Sequence, residues 1–218
     1  MTKPCADSPL LFPMSSGPDF SNEKRCMAKG ARWVCGVDEA GRGPLAGPVT
    51  AAAVILDQGS IPSGLDDSKK LSDSKRETLS AAIMKSAIVS IAHIGPATID
   101  AINIREASLL AMRLAVEGLN VQADHALIDG NALPTTLPCS ATALVKGDGR
   151  SLSIAAASIV AKVMRDHQME RAAKTYPGYG FAEHKGYPTK AHRLAVQQLG
   201  PCAIHRMSFA PVRAVLDK

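Results

Sequence analysis

The sequence contains no C-x-x-C pair. Its five cysteines (Cys5, Cys26, Cys35, Cys139, Cys202) are odd in number and scattered, so neither a disulfide framework nor a zinc site is indicated, and a reducing, cytoplasmic setting is expected. Long apolar runs are missing too. None approaches the roughly 18 residues that span a bilayer, and Pro9-Leu10-Leu11-Phe12-Pro13-Met14 is too short and too interrupted by proline for the core of a secretory signal. Aromatic residues are scarce, at 4%. Acidic residues are absent from one whole stretch: between His184 and Leu216 stand five cations (Lys185, Lys190, Arg193, Arg206, Arg213) and no Asp or Glu. That stretch holds the entire formal excess of +5, from 25 Lys and Arg against 20 Asp and Glu. It reads either as a surface that draws a polyanion such as nucleic acid, or as a solvated helix face.

What is present suits one sizeable domain. With 218 residues, 46% hydrophobic and 21% charged, the chain can bury a core without staples, and collagen-like, disordered and coiled-coil classes are excluded. Residues 1–32 mix Ser, Pro, Gly and Lys without sustained periodicity and are expected to form a mobile extension with about one turn of helix. Residues 33–218 form the domain, with a basic helical part from about 184. Strands are expected at 33–38, 49–56, 86–94, 126–129 and 141–145, and helices at 73–85 behind a Ser72 or Asp73 cap, 97–119 and 151–176, with one or two short helices at the end. Three strands come early and the alternation with helices is uneven, which points to an α/β fold with a mixed sheet rather than a wholly parallel one.

Four acidic residues fall at the carboxyl ends of expected strands: Asp38 with Glu39, Asp129 and Asp148. A charge at the end of an apolar strand is costly to bury unless paired or bound to a cation, and strand ends of open α/β sheets are where ligands bind. Taken singly, Asp129-Gly130 and Gly147-Asp148-Gly149 also read as turn signals. Taken together, converging carboxylates would repel one another and call for a divalent cation. With no Cys or His near these motifs, the oxygen-only set favours Mg²⁺ or Mn²⁺ over Zn²⁺. Asp38 and Glu39, as neighbours on a strand, point to opposite faces, so both reach one site only if the strand breaks at Glu39. Ala40-Gly41-Arg42-Gly43-Pro44 supplies such a break, and its glycines let bare backbone approach a ligand. The spacing is neither a Walker loop nor a dinucleotide fingerprint.

Val37-Asp38-Glu39-Ala40-Gly41-Arg42-Gly43-Pro44-Leu45-Ala46-Gly47-Pro48-Val49, then Asp67-Ser68-Lys69-Lys70-Leu71, Ile128-Asp129-Gly130-Asn131, Lys146-Gly147-Asp148, the run from Ala155 to Val163 with Arg165-Asp166, Tyr179-Gly180-Phe181, His184-Lys185-Gly186-Tyr187-Pro188-Thr189 and Arg206-Met207-Ser208-Phe209 with Pro211-Val212 resemble the bacterial ribonuclease HII family. The matches stand in family order from about Val34 to Val212. The resemblance implies a ribonuclease H-like fold and metal-dependent cleavage of the RNA strand of RNA/DNA hybrids, including on the 5′ side of single ribonucleotides embedded in duplex DNA.

It also implies roles. Asp38, Glu39, Asp129 and Asp148 would be the catalytic carboxylates and metal ligands, in agreement with the strand-end reading. Gly41, Arg42 and Gly43 would sense the ribose 2′-hydroxyl. Tyr187 would stack on the sugar beside the scissile phosphate, and Lys69, Asn131, His184 and Lys185 would contact phosphate or backbone. Two Mg²⁺ or Mn²⁺ ions in such a site activate a water and stabilise the departing 3′ oxygen, leaving 5′-phosphate and 3′-hydroxyl ends. The basic C-terminal stretch would grip phosphates beside an acidic centre. Asp166, mid-helix, reads either as a helix-surface ion pair or equally as a residue orienting a Lys or Arg near the site, and it is left out of the catalytic set. RNA/DNA hybrid and ribonucleotide-containing DNA are the expected partners, with no membrane and no obligate protein partner, for a monomer. The competing class is a hybrid-binding module without catalysis, which would gain nothing from acids facing phosphates.

Overall fold

The computed structural model describes residues 17–217; residues 1–16, with the Pro9 to Met14 stretch, lie outside the described residues. In chain order the elements are α1 (Ser21–Met27), β1 (Val34–Ala40), β2 (Val49–Ile55), α2 (Asp73–Ser86), β3 (Ile88–Ile94), α3 (Pro96–Ile102), α4 (Ile104–Glu117), β4 (His125–Asp129), β5 (Ser140–Leu144), α5 (Leu152–Thr175), α6 (Phe181–His184), α7 (Lys190–Leu199) and α8 (Ala210–Leu216). The strands form one sheet in the order β3-β2-β1-β4-β5, antiparallel across β3, β2 and β1 and parallel across β1, β4 and β5. This is the mixed, helix-flanked α/β sheet expected from the sequence.

β2, Val-Thr-Ala-Ala-Ala-Val-Ile, is buried at every position. Small and β-branched side chains throughout leave room for a helical layer on each face. Val49, Ala51, Ala53 and Ile55 meet the apolar face of α4 (Ala107, Ala111, Met112, Ala115). Ala52 and Val54 meet α5 and α2 through Ala155, Ile159, Leu79 and Ile83. The alanine run at the start of α5 lets that helix lie close to β1. A side chain at Gly36 would collide with the backbone of Ser153 and Ile154.

Three features differ from the sequence expectation. The single helix expected over 97–119 is broken at Asn103, whose φ is +68° and whose side chain accepts the N–H groups of Arg105 and Glu106 to start α4. The chain ends in three short helices, not one or two. Part of the expected extension is packed: α1 makes two turns, Glu23 is fully buried, and Asp19 bridges to Ser151. The extension lacked a helical period to read because α1 and its cap pack only Phe20, Cys26 and Met27 against the core, beside one buried carboxylate. The Glu23 carboxylate accepts the Ser151 hydroxyl at 2.6 Å and the Ser153 N–H at 2.9 Å, capping α5 from outside.

Candidate active site

The parallel strands β1, β4 and β5 end side by side, and this places all four carboxylates at one end of the sheet. β1 pairs with β2 as far as Ala40 but with β4 only as far as Val37. The expected break at Glu39 is therefore not a break in the strand. β1 runs on past its parallel neighbour, so Asp38 comes level with Asp129 and Glu39 projects beyond the end of β4, the two on opposite faces. Asp38 shares its face with Ala52 and meets Ser158 of α5. Glu39, on the other face, accepts from Arg42 Nη1 at 3.3 Å. Asp129, the last residue of β4, accepts the Gly147 N–H at 2.6 Å. Asp148 rides in the 3-10 turn Gly147–Gly149 beyond β5, with Lys69 Nζ 3.7 Å from its carboxylate.

These groups crowd one another. Burial, then the neighbouring charges of Glu39 and Asp129, push the Asp38 carboxyl well above the ordinary carboxylate range, against the Ser158 and Glu39 hydrogen bonds that favour its anion. Burial likewise raises Glu39; Arg42 opposes the rise and Asp129 adds to it. Asp148 is raised by burial and by Asp67 and Asp129, with Lys69 offsetting part. Burial alone would lower Lys69, but Asp67, Asp148, Asp38 and Asp129 together hold it above its usual value. Among the described residues no three His, Cys, Asp or Glu side chains close into a ready-made ion cage. The carboxylates lie near enough to raise one another, they offer oxygen donors only, and their mutual repulsion is what divalent cations of the Mg²⁺ or Mn²⁺ type would relieve.

Two recesses flank Glu39. The larger, about 280 Å³, is lined by Glu39, Gly41, Gly43, Lys69, Lys162 and Tyr187. The smaller, about 90 Å³, is lined by Glu39, Arg42, Asp129 and Asn131 with residues of α4. Tyr187 is 40% exposed, and a Cβ at Gly43 would lie 3.9 Å from its ring. A cavity of about 550 Å³ lies elsewhere, between α1 and the β4–β5 edge, and none of the four carboxylates lines it.

Gly41, Arg42, Gly43, Lys69, Asn131 and Tyr187 thus gather around the carboxylates, whereas the other two expected contacts are engaged within the protein, His184 at both ring nitrogens and Lys185 through two of its three donors. His184 has both ring nitrogens engaged by backbone, Nε2 with the Tyr179 carbonyl at 2.7 Å and Nδ1 with the Gly186 N–H at 3.1 Å. Lys185 Nζ is held by Glu170 at 2.7 Å and by the Ala182 carbonyl at 2.6 Å. The basic stretch needs a further correction, because Arg206 is fully buried and offers no donor to a phosphate at the surface. Lys190, Arg193 and Arg213 remain exposed. Asp166 pairs with Lys162 at 2.8 Å, in the expected i,i+4 geometry.

Sequence reasoning missed Ser68 and Ser158, whose hydroxyls bond at 2.8 Å behind Asp38, and Lys162, 5.8 Å from the Tyr187 ring centre. Arg165 and Arg206 were missed too. Both are fully exposed-looking in sequence yet 0% accessible in the fold, and each guanidinium donates to three backbone carbonyls. Burial, then the charge of Arg165, lowers Arg206 to about 9.

The model of the family described as Ribonuclease HII matches residues 35–212. A relative named Ribonuclease HII from Brucella abortus (strain 2308) is 53% identical over 219 residues, covering 100% of both chains. One of the same name from Agrobacterium fabrum is 57% identical over 208 residues, covering 95% of this chain and 96% of that one. The crystal structure of the ribonuclease H2 from Pyrococcus horikoshii OT3 superposes with a TM-score of 0.71 at 25% identity, covering 85% of this chain and 97% of the other. The structure of the PCNA:RNase HII complex from Archaeoglobus fulgidus contains a chain that superposes with a TM-score of 0.70 at 27% identity, covering 81% and 95%.

Proposed function

This chain belongs to the ribonuclease HII family and acts as a ribonuclease H on RNA/DNA hybrids, and on that premise we propose that it cuts on the 5′ side of ribonucleotides, single embedded ones included, with Asp38, Glu39, Asp129 and Asp148 as its metal-holding carboxylates. The observation that carries this reading is the convergence of the four acids at one sheet end, where burial and mutual repulsion push Asp38 well above the ordinary range. Two bound Mg²⁺ or Mn²⁺ ions would supply charge neutralisation and an activated water.

The chain's own residues do the rest. Gly147 and Gly149 donate backbone N–H groups that aim Asp129 and Asp148. Ser158 steadies Asp38. Gly41 to Gly43 present backbone to the ribose 2′-hydroxyl, and Tyr187 offers an exposed ring face to the adjoining sugar. Lys69 and Asn131 sit on the rims of the recesses, where a phosphate path would pass, and the exposed Lys190, Arg193 and Arg213 add the long-range attraction that an acidic centre lacks.

Among the described residues no helix is long and apolar enough to cross a membrane. We place the enzyme in the cytoplasm as a monomer with nucleic acid as its partner. The Archaeoglobus relative is described in complex with PCNA, so co-purification with another protein is the control on that last point.

The test is a labelled DNA duplex carrying one ribonucleotide, incubated with Mg²⁺ or Mn²⁺ beside an all-DNA duplex and an Asp38→Asn variant. Cleavage 5′ to the ribonucleotide, absent from both controls, supports the site. Binding without cleavage under either metal would leave only a hybrid-binding module.

A further inference from the structure

The loop between β1 and β2 reads a sugar, on the function proposed above, with residues that have almost no side chain to hold them. Gly41 and Gly47 take φ values of +99° and +83°, and glycine loops of this kind have little rigidity of their own. Arg206 and Arg165 supply it. Arg206 donates Nη2 to the Gly41 carbonyl at 2.6 Å, Nη1 to Arg42 at 2.9 Å and Nε to Gly47 at 3.0 Å. Arg165 donates Nε to Pro48 at 3.0 Å, Nη2 to Ala46 at 3.2 Å and Nη1 to Lys185 at 3.0 Å. Neither guanidinium takes part in an ion pair among the described residues. The hydrogen bonds of these two buried charges all go to carbonyls, and each guanidinium also lies over an aromatic ring, Arg165 over Tyr187 at 5.8 Å and Arg206 over Phe209 at 5.1 Å.

The consequence follows from peptide geometry. In a trans peptide the C=O and the next N–H point in opposite directions. With the Gly41 and Arg42 carbonyls drawn into Arg206, the N–H groups of Arg42 and Gly43 are turned away from it. Neither of these two has a hydrogen-bond acceptor among the backbone bonds of the described residues. They form a pair of adjacent donors on a loop that lines the recess shared with Tyr187. Arg165 ties that loop to the other wall. Its bond to the Lys185 carbonyl, with Leu45 N–H on the Gly186 carbonyl at 2.8 Å, sets the separation between the donors and Tyr187. A side chain at Gly41 would collide with the Arg165 guanidinium, so the glycine is there for the arginine as well as for the ligand.

We propose that Arg165 and Arg206 are positioning residues for sugar discrimination: Arg206 aims the Arg42 and Gly43 amides, and Arg165 fixes their distance from Tyr187. The inference rests on the reading of this loop as the 2′-hydroxyl sensor. It makes the enzyme's choice of ribose depend on two side chains that touch no substrate.

The experiment is a cycle between enzyme and substrate. Wild type, Arg206→Lys and Arg165→Lys are compared on duplexes carrying either one ribonucleotide or one 2′-fluoro nucleotide, in Mn²⁺. Lysine keeps the charge and the stem but not the planar three-way fork. The expected result is a fall of about 10²-fold in kcat on the ribonucleotide, with KM for the duplex changed by less than about threefold. On the 2′-fluoro duplex each variant should match wild type, so that the preference for ribose collapses. Folded variants that keep the wild-type preference would overturn the proposal. So would unfolding of both variants at the assay temperature, since the guanidiniums would then serve the fold and not the loop. A wild type that cuts both duplexes at one rate would instead sink the sensor reading on which the proposal stands.

Discussion

Asp129 Oδ1 accepts the Gly147 N–H at 2.6 Å, so the carboxylate that ends β4 also pins the turn that carries Asp148. One of the four acids thereby positions another. Asn at 129 keeps an acceptor for Gly147 while removing the charge; Ala removes both. Both variants should lose more than about 100-fold in cleavage rate, because a ligand is worth at least what its outer partners are. Only Asp129→Ala should also lose stability, by about 1–2 kcal/mol, as the Gly147 N–H is left unmet. Urea unfolding of the metal-free proteins separates the two, and equal stability would show that the pin carries nothing.

Asp38 should carry a cost in stability that its function requires. Its folded carboxyl is held well above the ordinary range by burial and by Glu39 and Asp129, so between the unfolded and folded titration points the native state binds more protons than the unfolded one. Stability therefore falls as pH rises through that window. In metal-free buffer Asp38→Asn should melt above wild type at neutral pH and close to it below the ordinary carboxylate range, while its cleavage is lost. Added Mn²⁺ should raise the wild-type melting temperature far more than that of the variant. A variant less stable than wild type at pH 7 would contradict the crowding described here.

Acid should loosen the C-terminal helices before it reaches the sheet. His192 and His205 meet Nε2 to Nε2 at 3.1 Å in a buried cluster with Phe181 and Tyr179, and only one of the two facing nitrogens can carry a proton. Burial, then His192, lowers His205 to about 4 from the ordinary 6.5. A depressed histidine contributes stability that is fully present above the unfolded value and is lost as pH falls from 6.5 towards 4, on the order of 3 kcal/mol. Amide exchange across α6 and α7 should accelerate over that interval. His205→Gln should flatten the dependence.

Glu23 should matter more than its place near the chain start suggests. It caps α5 through Ser151 and Ser153, three and five residues past Asp148. Glu23→Ala should cost about 1–3 kcal/mol and lower kcat through a loosened Asp148 turn. Glu23→Gln, which still accepts from both, should recover most of each. Denaturation and steady-state kinetics on the same preparations check the pairing.

The four strand-end acids and the glycine loop were legible in the sequence because their physics is local: a charge after an apolar run, and glycines where backbone must turn. The mixed sheet was legible from strand lengths and spacing. What stayed hidden depends on distant partners. An arginine reads as a surface residue until the fold surrounds it, as with Arg165 and Arg206, and His184 reads as a donor until the Tyr179 and Gly186 backbone occupies it. The break at Asn103 had a signal, Asn followed three residues on by Glu106, but the apolar period continued across it and outweighed the cap.

The grip on the sensor loop consists of bonds to main-chain carbonyls, which every residue type owns alike. An exposed side chain of the loop, as at Arg42, can therefore change without touching the clamp, whereas the two arginines that hold it have no substitute with the same fork. Tolerance to replacement should run opposite to proximity: wide for the exposed side chain of Arg42, which lines both recesses, and narrow at the two buried positions that hold its backbone.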